Sequence, residues 1–169
     1  MTQGQQTQAA ASDIAIVGMA AHLPGAQDIR QYWRNLADGV SAIRRLDEEA
    51  LIAAGVDRGL MRHRDYVPFA APLDGFEMFD AEVFGLSPKD AAIMDPQHRR
   101  FLETAWEALE TAGHTPQGFN GRIGVYGGCG MGSYFYFNVC SNPDLVENTG
   151  MFLLRHTGND KDFLTTRLS

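Results

Sequence analysis

The chain has 169 residues, 44% hydrophobic and 21% charged, with 14 basic against 21 acidic side chains for a net charge of −7. That balance belongs to a single globular domain and excludes a disordered or fibrous class. Basic residues never run longer than the pairs Arg44-Arg45 and Arg99-Arg100, so the counterion-displacing stripe of a polyanion binder is absent and nucleic acid is not an expected partner.

Residues 1–12 read as a flexible, Gln-rich lead-in without the cationic start and apolar middle of a secretory signal. No apolar stretch approaches the roughly 18 residues that span a bilayer, so no membrane is expected. The two cysteines, Cys129 and Cys140, fit neither a disulfide framework nor a zinc motif, and a reducing cytoplasm is the expected setting.

Ile14 to Val17 is a short apolar run closed by Gly18 and reads as a buried strand. Asp28 can cap a helix over Ile29 to Ala37, with Tyr32, Trp33 and Leu36 on one face and Gly39 beyond its end. A shorter helix is expected from Asp47 to Ala54. Residues 55–78 have no sustained period and read as a long connection with short extended pieces, a kind of loop that is often functional. Ser87-Pro88, with Asp90 three residues after the cap, starts a helix, and Asp95-Pro96 repeats the device. The helix after Pro96 carries Phe101, Leu102, Ala105, Trp106, Leu109 and Ala112 on one stripe and stops at Gly113. Arg122 to Gly128 reads as a second strand. Helices are expected over Asn142 to Leu154 and Asn159 to Ser169, the last with Asp160 and Asp162 at its positive end and Arg167 at its negative end. The alternation of elements is an α/β pattern.

Five strings stand in one order. They are Ile14-Ala15-Ile16-Val17-Gly18-Met19-Ala20, the Phe79 to Pro88 run FDAEVFGLSP, and Met94-Asp95-Pro96-Gln97-His98-Arg99 with its continuation to Glu110. Ile123-Gly124-Val125-Tyr126 and Gly158-Asn159-Asp160-Lys161-Asp162-Phe163 complete the set. Together they resemble the N-terminal part of the ketosynthase (beta-ketoacyl synthase) domains of modular type I polyketide synthases, over residues 13–169. The resemblance implies an α/β fold, the N-terminal half of a thiolase-like architecture in which two similar halves pack together and the domain dimerises. It implies decarboxylative Claisen condensation of acyl and malonyl-type thioesters. It further implies that no cofactor is bound directly, since substrates would ride on the phosphopantetheine arm of an acyl carrier protein, an expected partner beside the rest of the synthase. By the same resemblance the loop after the second strand approaches the acyl pocket, so Cys129, Gly130 and Met131 are expected to line it. Met151 to Ser169 is expected to supply part of the dimer contact, with Phe152, Leu153 and Leu154 as its apolar contributors.

The family's Thr-Ala-Cys-Ser-type elbow does not occur in these residues, nor do the strings around its two histidines and lysine. Condensation needs a thiolate to hold the growing chain and donors for the developing negative charge. The expectation is a truncated ketosynthase with no catalytic residue of its own, inactive alone, and exposing apolar surface meant for the other half. A fatty-acid-type ketosynthase shares the chemistry; a nucleotide-binding domain or a non-catalytic interaction half-domain are the readings from other classes.

Other candidate groups carry plainer readings. Cys129 in Gly127-Gly128-Cys129-Gly130-Met131-Gly132 has no marked base partner and reads as a small cysteine in a tight loop, and Cys140 as a buried small hydrophobe. The same loop nearly matches a dinucleotide fingerprint, but Ser133 holds the third glycine's place and no strand precedes Glu147, the nearest acid. No histidine pair among His22, His63, His98, His114 and His156 has metal-helix spacing, and His98 reads as a solvent or interface residue. Asp95 reads as a helix cap, and Glu103, Glu107 and Glu110 as a solvated helix face. Phe76, Phe79, Phe84, Phe101 and Trp106 are expected in the core.

Overall fold

Short polar side chains start the helices. In the computed structural model, which describes residues 13–115, 118–156 and 158–169, the Asp28 carboxylate accepts from Gln31 N–H at 2.7 Å and opens α1, Ile29–Ala37. Asp47 opens α2 (Glu48–Ala53) through Ala50 N–H at 2.7 Å, and Asp57 opens α3 (Arg58–Met61) through Leu60 N–H at 3.0 Å. Ser87 caps α4, Pro88–Ile93, and its hydroxyl donates to the Asp90 carboxylate. Asp95 caps α5, Pro96–Ala112, through Gln97 N–H at 2.8 Å. In each case an N–H with no partner in the helix gains one. The proline at the first position of α4 and of α5 leaves no N–H to satisfy. Helix α5 ends where Gly113 turns left-handed at φ 70° and returns its N–H to Glu110 and Leu109. The 1–12 lead-in lies outside the described residues.

Asp95→Ala should lower stability by about 1–2 kcal/mol, since α5 loses its cap. Asp95→Asn, which keeps an acceptor at the same reach, should recover most of the loss in urea denaturation followed by helical circular dichroism.

The two expected strands do not form ladders. Among the described residues the only sheet is a two-residue antiparallel pair, β1 (Arg44–Arg45) with β2 (Phe69–Ala70), in the register Arg44 to Ala70 and Arg45 to Phe69. Ile14 to Val17 and Ile123 to Tyr126 are extended and unpaired, and Ile14 and Tyr126 are each 96% exposed. A strand is completed by its neighbour's N–H and C=O groups, and neither run has such a neighbour among the described residues. Both lie along α5. A side chain at Gly18 would collide with the Ala108 carbonyl and with Ala112, and one at Gly127 would meet the Phe101 ring at 2.8 Å. Glycine at these two points is what lets extended backbone approach the helix.

The C-terminal third departs further from its expected helices. The 142–154 run breaks at Gly150, whose φ 83°, ψ 136° is not helical, into α6 (Pro143–Thr149) and α7 (Met151–His156). Residues 159–169 hold one 3₁₀ turn, Lys161–Phe163, followed by turns. The adjacent β-branched pair Thr165-Thr166 disfavours continued helix there. Between the loop at 129–132 and α6, Phe135–Val139 forms a π-helical turn in which Cys140 N–H reaches back five residues to Phe135 C=O at 2.8 Å. Short-period pattern does not reveal such a turn.

The core sits around this turn. Ile93, Phe135, Val139 and Leu154 are buried together, with Tyr134, Cys140, Leu145 and Val146 packed against them. Cys140 therefore serves as a small apolar side chain. The aromatic set expected in the core is elsewhere: Phe76 and Trp106 are exposed, while Phe79 and Phe84 stack on each other at 5.1 Å, half-buried. On α5 it is Leu102, His98 and Arg99 that are buried. The basic pair is structural, because Arg99 donates to Glu77 C=O at 3.3 Å and Arg100 donates to the carbonyls of Gly75 and Met78 while pairing with Glu103. The two arginines thus hold the irregular 75–78 segment to the helix.

Candidate functional site

Three polar contacts converge on the start of α5. Asp95 N–H donates to Gly158 C=O at 3.0 Å, and its carboxylate, 2% exposed, accepts from Gln97 N–H. The Gln97 side-chain oxygen in turn accepts from Gly130 N–H at 2.8 Å. Close by, the buried Asn159 amide donates to Ile93 C=O and Leu154 C=O, both at 2.7 Å, tying the ends of α4 and α7 together. Gly132 lets the loop pass within contact of this cluster, because a Cβ there would stand 3.3 Å from Asn159 C=O.

These contacts frame a cavity of about 370 Å³. One wall is Cys129, Gly130, Met131 and Gly132 with Phe135 and Tyr136, and the other is Arg155, Asn159, Asp160 and Lys161. Cys129, Gly130 and Met131 thus all line this cavity. Arg155 binds Asp160 at 3.1 Å. The Asp160 carboxyl is held below its usual range, foremost by Asp162 N–H, with Arg155 adding to the effect and desolvation working against it.

Burial, then the negative charge of Asp95, pushes the Cys129 thiol up from its ordinary value, against Lys161. A thiol held protonated is a poor nucleophile, which agrees with reading Cys129 as part of a wall. His98 is a correction: it is 2% exposed, not at a solvent surface, and neither ring nitrogen has a hydrogen-bond partner among the described residues. Burial lowers its affinity for a proton, Asp95 and Asp160 oppose that, and Arg167 reinforces it. Without a partner to receive or supply a proton, it is not placed as a base.

The segment expected at the dimer contact is also divided. Phe152 and Leu153 are 72% and 55% exposed, whereas Leu154 is fully buried in the core and is not available to a partner. Among the described residues no group of three or more His, Cys, Asp or Glu side chains could hold a metal ion, and no helix is long and apolar enough to cross a membrane. The Gly-rich loop has no paired strand before it among the described residues, so the strand–loop–helix frame of a dinucleotide site is missing. Sequence reasoning did not single out Gln97 or Asn159 as site residues. Each lies in a string that carried the resemblance, but no local pattern says which side chain of a string reaches across to another segment.

Residues 11–169 match the family described as "Beta-ketoacyl synthase, N-terminal domain". The chain belongs to that family of condensing enzymes, and the relatives around it are polyketide synthases. It is 46% identical over 162 residues to a phenolphthiocerol/phthiocerol polyketide synthase of Mycobacterium tuberculosis, covering 92% of this chain and 11% of that protein. It is 34% identical over 160 residues to the orsellinic acid synthase of Beauveria bassiana, covering 93% of this chain and 7% of that one. Ketosynthase twelve of the bacillaene polyketide synthase of Bacillus amyloliquefaciens superposes with a TM-score of 0.51 at 43% identity, over 57% of this chain and 17% of its own. The chain thus spans about a tenth of the length of the curated relatives it matches. Its fold is the N-terminal region of the α/β, thiolase-like ketosynthase architecture.

Proposed function

We propose that the chain supplies the N-terminal region of a polyketide-synthase ketosynthase and that its Cys129–Gly132 loop forms part of the acyl pocket. The observation that carries this reading is the cavity itself: the loop meets the Gly158–Lys161 segment around about 370 Å³, in a chain of this family. A cysteine outside these residues takes the acyl group as a thioester. The new carbon–carbon bond forms at the acyl carbonyl as CO₂ leaves the malonyl-type extender and the thiolate departs. Residues 13–169 act as scaffold and pocket wall and contribute no catalytic group, so the isolated chain is inactive. The substrates arrive on the phosphopantetheine of an acyl carrier protein, in the cytoplasm. The exposed runs at Ile14 to Val17 and Ile123 to Tyr126 are covered by the rest of the domain, and Phe152 and Leu153 face a second copy.

The test is Met131→Trp in the ketosynthase that contains this chain. A larger side chain on the cavity wall should raise KM for long acyl thioesters about tenfold while leaving two-carbon acyl thioesters within twofold, as discrimination by pocket shape allows. Equal kinetics for all chain lengths would remove the loop from the pocket. Formation of β-ketoacyl thioester by the purified 169-residue chain, given acyl and malonyl carriers, would overturn the non-catalytic assignment.

A further inference from the structure

We infer that Gln97 is a positioning residue for the acyl pocket: it latches the Cys129–Gly132 wall to the start of α5 and thereby sets the distance between the cavity's two walls. The inference rests on the pocket proposed above.

The route between the walls can be followed atom by atom. On one side Gly158 C=O accepts from Asp95 N–H at 3.0 Å, and Gly158 directly precedes Asn159, Asp160 and Lys161 of the cavity wall. Asp95 is buried and held at the helix cap, where its carboxylate accepts from Gln97 N–H at 2.8 Å. The Gln97 side-chain nitrogen lies 3.5 Å from the other Asp95 carboxylate oxygen, which orients the amide so that its oxygen faces outward. That oxygen accepts from Gly130 N–H at 2.8 Å, 33 residues along the chain. Gly130 lines the same cavity from the 129–132 loop. Glycine suits the contact, since a Cβ at 130 would stand only 3.3 Å from the Gln97 oxygen.

The geometry shows why this side chain and not another holds the loop. The neighbouring Gly128 N–H has no hydrogen-bond partner among the described residues, and a side chain there would meet nothing. The latch is therefore the hydrogen bond that fixes the loop's first half. Its second half is fixed by the turn from Ser133 N–H to Met131 C=O at 2.7 Å. Loss of the latch frees the wall at Cys129 and Gly130 without touching the core around Phe135 and Leu154. A wall that moves is felt in acyl binding, and the chemical step, whose groups lie elsewhere, is spared.

The test uses Gln97→Met, close in length and without the amide oxygen, in the ketosynthase that contains this chain. Residue-resolved hydrogen exchange reads the latch, and condensation kinetics with acyl thioesters of several chain lengths read its effect. Gly130 N–H should exchange about fivefold faster in the variant, the effect of losing one modest hydrogen bond. KM for acyl thioesters should rise about three- to fivefold with kcat within twofold, since binding is lost and chemistry is not. Unchanged exchange at Gly130 would overturn the latch. Faster exchange with unchanged KM at every chain length would leave the latch standing but overturn its role in substrate binding, and with it the proposed pocket wall. A fall in kcat at constant KM would assign Gln97 to the fold alone. Should the variant fail to fold, the unaltered protein still decides: Gly130 N–H must exchange more slowly than Gly128 N–H, and equal rates would overturn the inference.

Discussion

Gly158→Ala is expected to destabilise the protein by about 3 kcal/mol, through two costs that a side chain incurs at that position. Gly158 has φ 114°, a backbone region that residues with a Cβ rarely enter. The added methyl would also stand 2.7 Å from Met94 Cγ and 3.2 Å from its Cβ, and Met94 is fully buried. The methionine cannot swing into solvent to make room, so the overlap must be relieved by moving the 158–161 segment away from α4. That segment holds Asn159 and one wall of the cavity. Urea denaturation of the ketosynthase that contains this chain separates the two costs by comparison with Gly39→Ala. Gly39 has φ 67° and open space around it, so its substitution carries the backbone cost alone, about 1 kcal/mol. Adding Met94→Ala to Gly158→Ala should recover at least about 1 kcal/mol relative to the sum of the single changes, because the two side chains compete for one volume. Strict additivity would show that the clash is not what the substitution costs.

What could be read from the sequence divides by range. Asp28, Asp47, Ser87 and Asp95 act on N–H groups two or three residues ahead, so their helices were legible from residue type and spacing alone. Gly113 needed only its position after an apolar stripe. The runs at 14–17 and 122–128 were legible as extended segments but not as paired strands, because pairing is decided by whichever backbone lies alongside. The burial of His98 was illegible for the same reason. Its charged surroundings include Asp160 and Arg167, brought in from far along the chain. The aromatic residues misled because hydrophobicity says that a side chain tends to be covered, not by what. Trp106 is on the open side of α5, and the core gathers instead around Phe135, in a π-helical turn that follows no simple period. The cavity wall at Cys129, Gly130 and Met131 came through family resemblance, while the contacts that hold it, from Gln97 and Asn159, required the folded backbone.

Asn159→Asp should be the most informative single-atom change, costing about 4 kcal/mol at pH 8 and about half that at pH 4. The Asn159 side-chain nitrogen donates to two carbonyls, of Ile93 and Leu154, and its side-chain oxygen is buried without a partner among the described residues. Rotating the amide would therefore set oxygen against oxygen, so the donor must stay where it is. A carboxylate of the same shape presents only acceptors there. Both carbonyls lose their donor, and the new charge is buried among oxygens. Those surroundings favour the protonated acid, so its folded-state pKa lies above the unfolded value. The folded protein then binds the extra proton, and the deficit relative to the unaltered protein grows as the pH rises from the unfolded carboxylate range through the raised value. On acidification the acid regains one O–H donor for one of the two carbonyls, which returns about half of the loss. Asn159→Ala carries no titrating group and should show a deficit of about 2–3 kcal/mol that is flat with pH. The measurement is the difference in urea midpoint between each variant and the unaltered protein across pH 4 to 8. A flat deficit for Asn159→Asp would mean that the carboxylate has reached solvent, and that Asn159 does not clamp α4 to α7 at the back of the cavity.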